Sequence, residues 1–348
     1  MEYEGRYRVF DTSRIRTYPV SGRSNKVHLD DLTRPQELKR HKLPQPAIPD
    51  HVEEQIDHIA TKIVELRAFG RPVVLFTGAH LIKNGLGPLL VDLIRRGVFT
   101  LVAGNGATSI HDFELCLFGE TSENVPKALE EGAFGMAFEF NYINAALIVG
   151  NRMKIGYGEA IGRMMHDATF RRQVEKVLGL ENGTILFRYP EVSVQYACYE
   201  ENIPFTVHAG IGTDVLDQHD WFDGEAKGGC SGRDFLIYAE AITHFTEGGM
   251  VLNIGSAVTG PEVFLKAASM AGNIGKVPQG IITADFDLRP YDPDSFTDES
   301  RVGYYFRDQK SIVTRVPQAY HGEGIYVGGN QKVTVPLLYL KIVEKLKG

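Results

Sequence analysis

Short apolar runs that end in glycine recur along the middle of the chain, and a stretch with helical spacing follows most of them. RPVVLFTGAH (71–80) and VFTLVAGNG (98–106) are the first two. Their apolar residues do not alternate with polar ones. A strand of that kind is covered on both faces, which only a parallel sheet between helices provides. AALIVGN (145–151), GTILF (183–187), PFTVHAGIG (204–212), VLNIGSAVTG (251–260), GIITADFD (280–287) and GIYVGG (324–329) read as further strands. HVEEQIDHIATKIVELRAFG (51–70), LIKNGLGPLLVDLIRRG (81–97), PEVFLKAASMAGN (261–273) and VTVPLLYLKIVEKLKG (333–348) read as helices. The alternation predicts an α/β fold, a Rossmann-like parallel sheet with helices on both faces. Ligands of such sheets sit beyond the carboxyl ends of the strands. Gly78, Gly104, Gly106, Gly210, Gly212, Gly255, Gly328 and Gly329 are expected to gather there.

The first fifty residues differ. They are polar, with prolines at 19, 35, 44, 46 and 49. We read 1–50 as an extended N-terminal arm and 51–348 as one α/β domain. The 348 residues are 43% hydrophobic, enough for a sizeable core. A net charge of −7 argues against a general nucleic-acid binder, which presents a basic face. No apolar run is long enough to span a membrane. The charged N-terminal stretch has no signal-peptide core, and three scattered cysteines suit a reducing compartment, so a cytoplasmic location is expected.

Residues 101–112, LVAGNGATSIHD, combine a strand, a tight glycine turn and a helix start at which Thr108 and Ser109 are good caps. A helix N-terminus of this kind attracts phosphate. The stretch 208–224 is rich in His and Asp and holds Trp221, the sole tryptophan. Its ring either packs on a cation or anchors the loop. No metal site is expected, because such residues serve equally as turn and cap residues. Residues 284–300 carry six carboxylates against one arginine, a composition that suits a polyamine or an exposed acidic loop. Just beyond, Arg307 or Lys310 is available as an anion holder or nucleophile; a lysine with a depressed pKa attacks carbonyl or imine carbon. GxGxxG, P-loop and GxSxG motifs are missing from the sequence.

Taken in order, several blocks resemble the deoxyhypusine synthase family over roughly residues 70–345. TGAHLIKNGL (77–86) resembles its TSNLI-x-x-GL block through Leu81, Ile82, Gly85 and Leu86, with His80 at the asparagine. AGNGATSIHDFELCL (103–117) resembles AGG-x-EED-x-x-x-CL through Gly106, Asp112, Cys116 and Leu117, with His111 at an acidic position. HAGIGTD (208–214) keeps Gly210 and Asp214 of the DGSLGD block and has Ala209 for the first aspartate. LNIGSAVTGPEVFLKAASMAGN (252–273) is similar to the glycine-rich block GGG-x-x-KHH-x-x-x-AN, with Gly260 at the histidine. DFD (285–287), TDES (297–300) and NQKVTVPLL (330–338) resemble the family's EFD, DE and DASLVFPLL segments.

The resemblance implies NAD as cofactor and a homotetramer with NAD at subunit interfaces. It implies an aminobutyl-type transfer from spermidine or another polyamine, through an imine on a lysine, to a protein acceptor. It implies His80, Asn105, Gly106, Gly210, Gly255, Ser256, Asn330 and Gln331 for the cofactor, and Asp214 and Asp287 for the substrate, to which Trp221 is added as the aromatic beside carboxylates. Glu299, His111 and the lysine position would do the chemistry. An ungapped match puts Tyr305 at the family's WGK lysine, whereas Lys310 takes that place if the loop is longer. These departures point to a divergent NAD-dependent amine enzyme rather than authentic deoxyhypusine synthesis. Two other readings stay open: an NAD-cleaving, deacylase-like hydrolase with His80 or His111 as base, and a non-catalytic nucleotide-binding or assembly protein.

Overall fold

In the computed structural model, residues 4–39 and 48–347 are described. The rest of the expected arm (1–3 and 40–47) and Gly348 lie outside the described residues. The strands are β1 (Asn25–His28), β2 (Val73–Thr77), β3 (Leu101–Asn105), β4 (Glu120–Glu123), β5 (Phe205–His208), β6 (Met250–Ile254), β7 (Ile282–Asp287) and β8 (Glu323–Gly328). The helices in the first half are α1 (Asp50–Ala68), α2 (Ala79–Lys83), α3 (Gly87–Arg95), α4 (Gly106–Phe118), α5 (Val125–Glu130), α6 (Phe140–Arg152), α7 (Tyr157–His166) and α8 (Ala168–Val177). Those in the second half are α9 (Val194–Glu200), α10 (Gly224–Thr243), α11 (Thr259–Asn273), α12 (Val316–Ala319) and α13 (Gln331–Lys345).

Six strands form one parallel sheet in the order β5-β3-β2-β6-β7-β8. The chain builds outward from β2 to β5, then returns to the other side of β2 and builds outward to β8. That is the doubly wound order, and its reversal leaves a crevice at the carboxyl ends of β2 and β6. Every residue of β2 and of β6 is buried, as an unalternating run requires. Val73, Leu75 and Leu252 face a core shared with Ile56 and Ile59 of α1, Leu89 of α3 and Leu338 of α13. Val74, Phe76 and Val251 face the opposite layer, made by Tyr238 and Ile242 of α10, Phe264 and Ala268 of α11, and Ile312.

Three sequence expectations are corrected. AALIVGN lies inside α6, where nearly every position is buried. A short, all-apolar run carries no period, so a fully packed helix and a buried strand look alike. GTILF joins no sheet; Ile185 is buried and its backbone N–H donates to Glu175. The expected helix 81–97 is broken between α2 and α3, where Gly85 has a positive φ of 76°. The cap of α4 is also earlier than expected. Asn105 accepts from the Thr108 N–H at 2.9 Å, while the Thr108 hydroxyl bonds the Thr77 carbonyl at 3.1 Å.

The N-terminal segment closes over α4. β1 pairs antiparallel with β4, setting Val27 opposite Thr121. The Tyr18 hydroxyl donates to Glu123 at 2.8 Å, and Arg23 forms an ion pair with Glu114 in which both side chains are only 3% exposed.

At the crevice, Gly78 donates its N–H to the Ile254 carbonyl at 3.0 Å. A Cβ on Gly78 would land far inside van der Waals distance of the Gly255 carbonyl oxygen, which is backbone and has no room to yield. We therefore expect Gly78→Ala to lower stability by about 1–3 kcal/mol in urea unfolding. Gly228, inside α10 with nothing within 4 Å of the place a methyl group would take, gives the opposite sign. Gly228→Ala should gain about 0.5–1 kcal/mol, and equal effects of the two changes would sink the close-approach argument.

Candidate functional site

The strand ends line up along one edge of the sheet. β2 ends at Thr77 and runs through Gly78 into α2, which carries His80 and Lys83. β3 ends at Asn105 and opens α4 at Gly106. β5 runs into the loop 209–218, β6 into Gly255 and Ser256, and β8 into Asn330 and Gln331. The side chains expected to hold a cofactor thus share this edge, in two groups either side of the crevice.

The first group is built around a lysine that sequence reasoning missed. Lys227, in the first turn of α10 and 1% exposed, donates to Asp214 at 2.8 Å, to Asp217 at 2.5 Å and to the Gly210 carbonyl at 2.8 Å. The Asp214 carboxylate lies against the backbone of Gly106, where a methyl group would strike it. The glycine turn at the start of α4 therefore faces the protein's own carboxylate. Burial pushes the Asp214 carboxyl up, against the pull of Lys227. A buried carboxylate that keeps its charge needs such a partner.

His111 lies one turn into α4, with Nδ1 2.7 Å from the Thr121 hydroxyl and 3.3 Å from Glu114. Glu114 is buried, yet His111 and Arg23 hold its carboxyl below the usual range. A cavity of about 290 Å³ opens along this face of α4, between Lys83, His111, Asp214 and the N-terminal segment. His80 is exposed near it; burial of its ring, then Lys83 and His111, depress its pKa. His208, at the end of β5, is caged by Phe76, Phe235 and Tyr238, and burial lowers its pKa to about 3, so it stays neutral.

The second group surrounds Gly255, whose φ of 69° is left-handed. A side chain there would collide with Gln331, whose Oε1 is buried without a partner among the described residues. Ser256 accepts from the Gly260 N–H at 2.9 Å. Asn253 holds this turn from beneath, donating to the Ser256 carbonyl at 2.9 Å and to Asp285 at 2.7 Å. Asp285 is fully buried, and burial followed by Asp308 raises its pKa strongly.

The acidic segment is internally paired. Arg289 bridges Asp287 and Asp308, and Arg301 pairs with Asp292. Lys310, Glu299 and Tyr305 come together in a third place. Lys310, 2% exposed, donates to the Tyr304 carbonyl at 2.6 Å and sits 3.7 Å over that ring. Burial, then Arg315 and Arg307, lowers its pKa. The Tyr304 hydroxyl donates to Glu299 at 2.9 Å, while Tyr305 is 62% exposed. Trp221 stands apart from all of these, in a groove with Ile148, Met153 and Lys176. Among the described residues no cluster of His, Cys, Asp and Glu is arranged to hold a metal ion, and no helix is long and apolar enough to cross a membrane. The three thiols are buried, and burial raises the pKa of each.

No family model and no curated protein matches the chain. Solved structures align with the chain at low identity. An arginine dihydrolase of the cyanobacterial ornithine–ammonia cycle, ArgZ, is 19% identical with a TM-score of 0.47, over 86% of this chain and 33% of its own. AgrE, in a ternary complex with ornithine and NAD+, is 17% identical with a TM-score of 0.46, over 87% and 35%. A structure reported as a deoxyhypusine synthase of Entamoeba histolytica is 10% identical with a TM-score of 0.39, over 86% and 90%. The chain thus spans about a third of the length of the first two.

Removing the Lys227 ammonium strands two buried carboxylates. Lys227→Met should cost about 3–5 kcal/mol in urea unfolding, because an uncompensated buried charge is left behind. Adding Asp214→Asn to it should restore part of that loss. Strictly additive losses in the double variant would show that the pair is not coupled.

Proposed function

We propose that this chain is an enzyme that binds a nicotinamide adenine dinucleotide at the carboxyl edge of the sheet and acts on an amine. The observation that carries the reading is the doubly wound strand order with its crevice at Gly78 and Gly255. The residues there fit the group. Gly255 and Ser256 form a tight turn ahead of the N-terminus of α11, and Gln331 offers beside it an unpartnered buried oxygen, an acceptor for a hydroxyl or amide donor of the dinucleotide. Asp214 already stands against the start of α4 and fills the place a phosphate would take at Gly106. The Gly255–Ser256 turn is therefore the better seat for the diphosphate, with Asn330 and Gln331 flanking it and His80, Asn105, Gly106 and Gly210 lining the other side of the crevice. Bound there, the dinucleotide supplies an acceptor for hydride from the carbon next to the amine nitrogen.

The finer reading is transfer of an alkylamine group through an imine on Lys310. Its support is the buried Lys310 amine, whose pKa burial lowers, the direction that favours a nucleophilic amine. Glu299 and the Tyr304–Tyr305 pair surround it. Asp287 and Asp292 are engaged by the chain's own arginines, which favours an amine of low charge over a long polycation. A homotetramer, a protein acceptor and a cytoplasmic location belong to the same proposal.

Calorimetric titration with NAD tests the first step. Saturable binding is expected, with a thermal stabilisation equivalent to about 2.7 kcal/mol at a hundredfold excess over Kd. Heat-free titration without stabilisation would remove the reading, and nicotinamide release without any amine would replace it by NAD cleavage. For the second step, borohydride added during turnover of an amine should fix its carbon skeleton on the peptide containing Lys310. Label on any other lysine, or undiminished label in Lys310→Ala, would discard that role.

A further inference from the structure

The cavity along α4 combines carboxylates that are engaged within the protein with lysines that have no ion partner among the described residues. Each of its carboxylates already has a partner in the protein. Glu114 is paired with Arg23, Asp214 with Lys227, and Glu123 accepts from the Tyr18 hydroxyl at 2.8 Å and the Gly135 N–H at 3.0 Å. Lys26, from β1, and Lys83, from α2, also line it, and neither has an ion partner among the described residues. The floor is apolar, made by Ile110, Phe134 and Phe140. Ser122 in the wall is held at a φ of 69°, a conformation that is costly for a non-glycine residue and collects at functional sites.

That strained residue follows Thr121, which together with Glu114 sets His111. Thr121 has one hydroxyl proton and Glu114, ionised, only accepts. The proton of Thr121 therefore goes to Glu114, and the ring Nδ1–H of His111 must donate to the Thr121 oxygen. In the neutral ring this fixes the tautomer: Nε2 then carries the lone pair, and it has no partner among the described residues.

Resting on the dinucleotide–amine reading above, and as an alternative to its Lys310 step, we propose that this cavity is the substrate site for a short amine that carries an anionic group, carboxylate or phosphate. Lys83 and Lys26 take the anion. His111 takes a proton from the amine nitrogen: the N–H bond breaks, its electron pair stays on nitrogen, and the proton moves to Nε2. Glu114, Thr121 and Arg23 are positioning residues that act through His111. A simple diamine, with no acid to meet the lysines, is disfavoured here.

The test uses the full chain and calorimetry with α- and ω-amino acids of two to six carbons, alkylamines of matching length, and aminoalkyl phosphates. At least one amino acid or aminoalkyl phosphate is expected to bind at least tenfold tighter than the matching alkylamine, and whichever of the two acids prevails identifies the anion. Lys83→Met should erase that preference while leaving NAD binding unchanged; Lys26→Met repeats the test if the first variant unfolds. Equal binding of acid-bearing and acid-free amines, no binding by any member, or an unaltered preference in both variants would overturn the proposal. NAD binding without the acid preference sinks this inference alone, and the acid preference without NAD binding sinks the cofactor reading alone. For the positioning residues, ¹⁵N NMR of the imidazoles, with the His111 signal assigned through His111→Gln, should show a single Nδ1–H tautomer. In Thr121→Val the signal should become a mixture at unchanged fold; a mixture already present in the unaltered chain would refute the arrangement.

Discussion

The Lys227 ammonium is the point on which the edge of this sheet depends. It is fully buried, pairs with Asp214 and Asp217 and takes the Gly210 carbonyl, so it ties the loop after β5 to the start of α10. Ions taken out of water are costly, and only close, multiple partners offset that. With the loop fixed, the Asp214 carboxylate stands against Gly106 and closes one end of the cavity along α4. The same helix anchors again near its middle, where Asp234 accepts from the Val207 N–H at 2.7 Å and the Gly158 N–H at 2.9 Å. One helix thereby links β5, α7 and the site.

A second constraint comes from the N-terminal segment. Arg23 brings a buried guanidinium to Glu114, and β1 lies across β4 so that Thr121 reaches both Glu114 and His111. This segment has little core of its own: between Tyr7 and Asp31 no apolar residue is buried. Its role is to complete the wall of a cavity whose other walls come from the ends of β2, β3 and β5. The rigid sheet sets the positions of α2 and α4, and the arm sets the electrostatics between them.

The parts of the fold legible from sequence are those with a period or a punctuation mark. β2, β3, β5, β6, β7 and β8 announce themselves as apolar runs closed by glycine or aspartate, and α1, α11 and α13 by helical spacing. AALIVGN is indistinguishable from a strand because a helix buried all round shows no polar face. The strand-end position of His80, Asn105, Gly106, Gly255, Ser256, Asn330 and Gln331 is likewise legible, since a parallel sheet delivers every strand terminus to the same edge.

Partnerships between distant residues are what the sequence hides. Lys227 sits ten and thirteen residues from the aspartates it pairs with, and Arg23 ninety-one from Glu114. Trp221 neighbours carboxylates only in sequence, and it packs instead against α6 and α8. Local sequence determined the alternation of strands and helices, because backbone propensity and burial pattern act over a few residues. Tertiary structure alone decided which charges neutralise one another and which, like that of Lys83, are left without an ion partner among the described residues. The reason is that ion pairing in a buried site depends on distance and dielectric across chain segments that meet only once the sheet has formed.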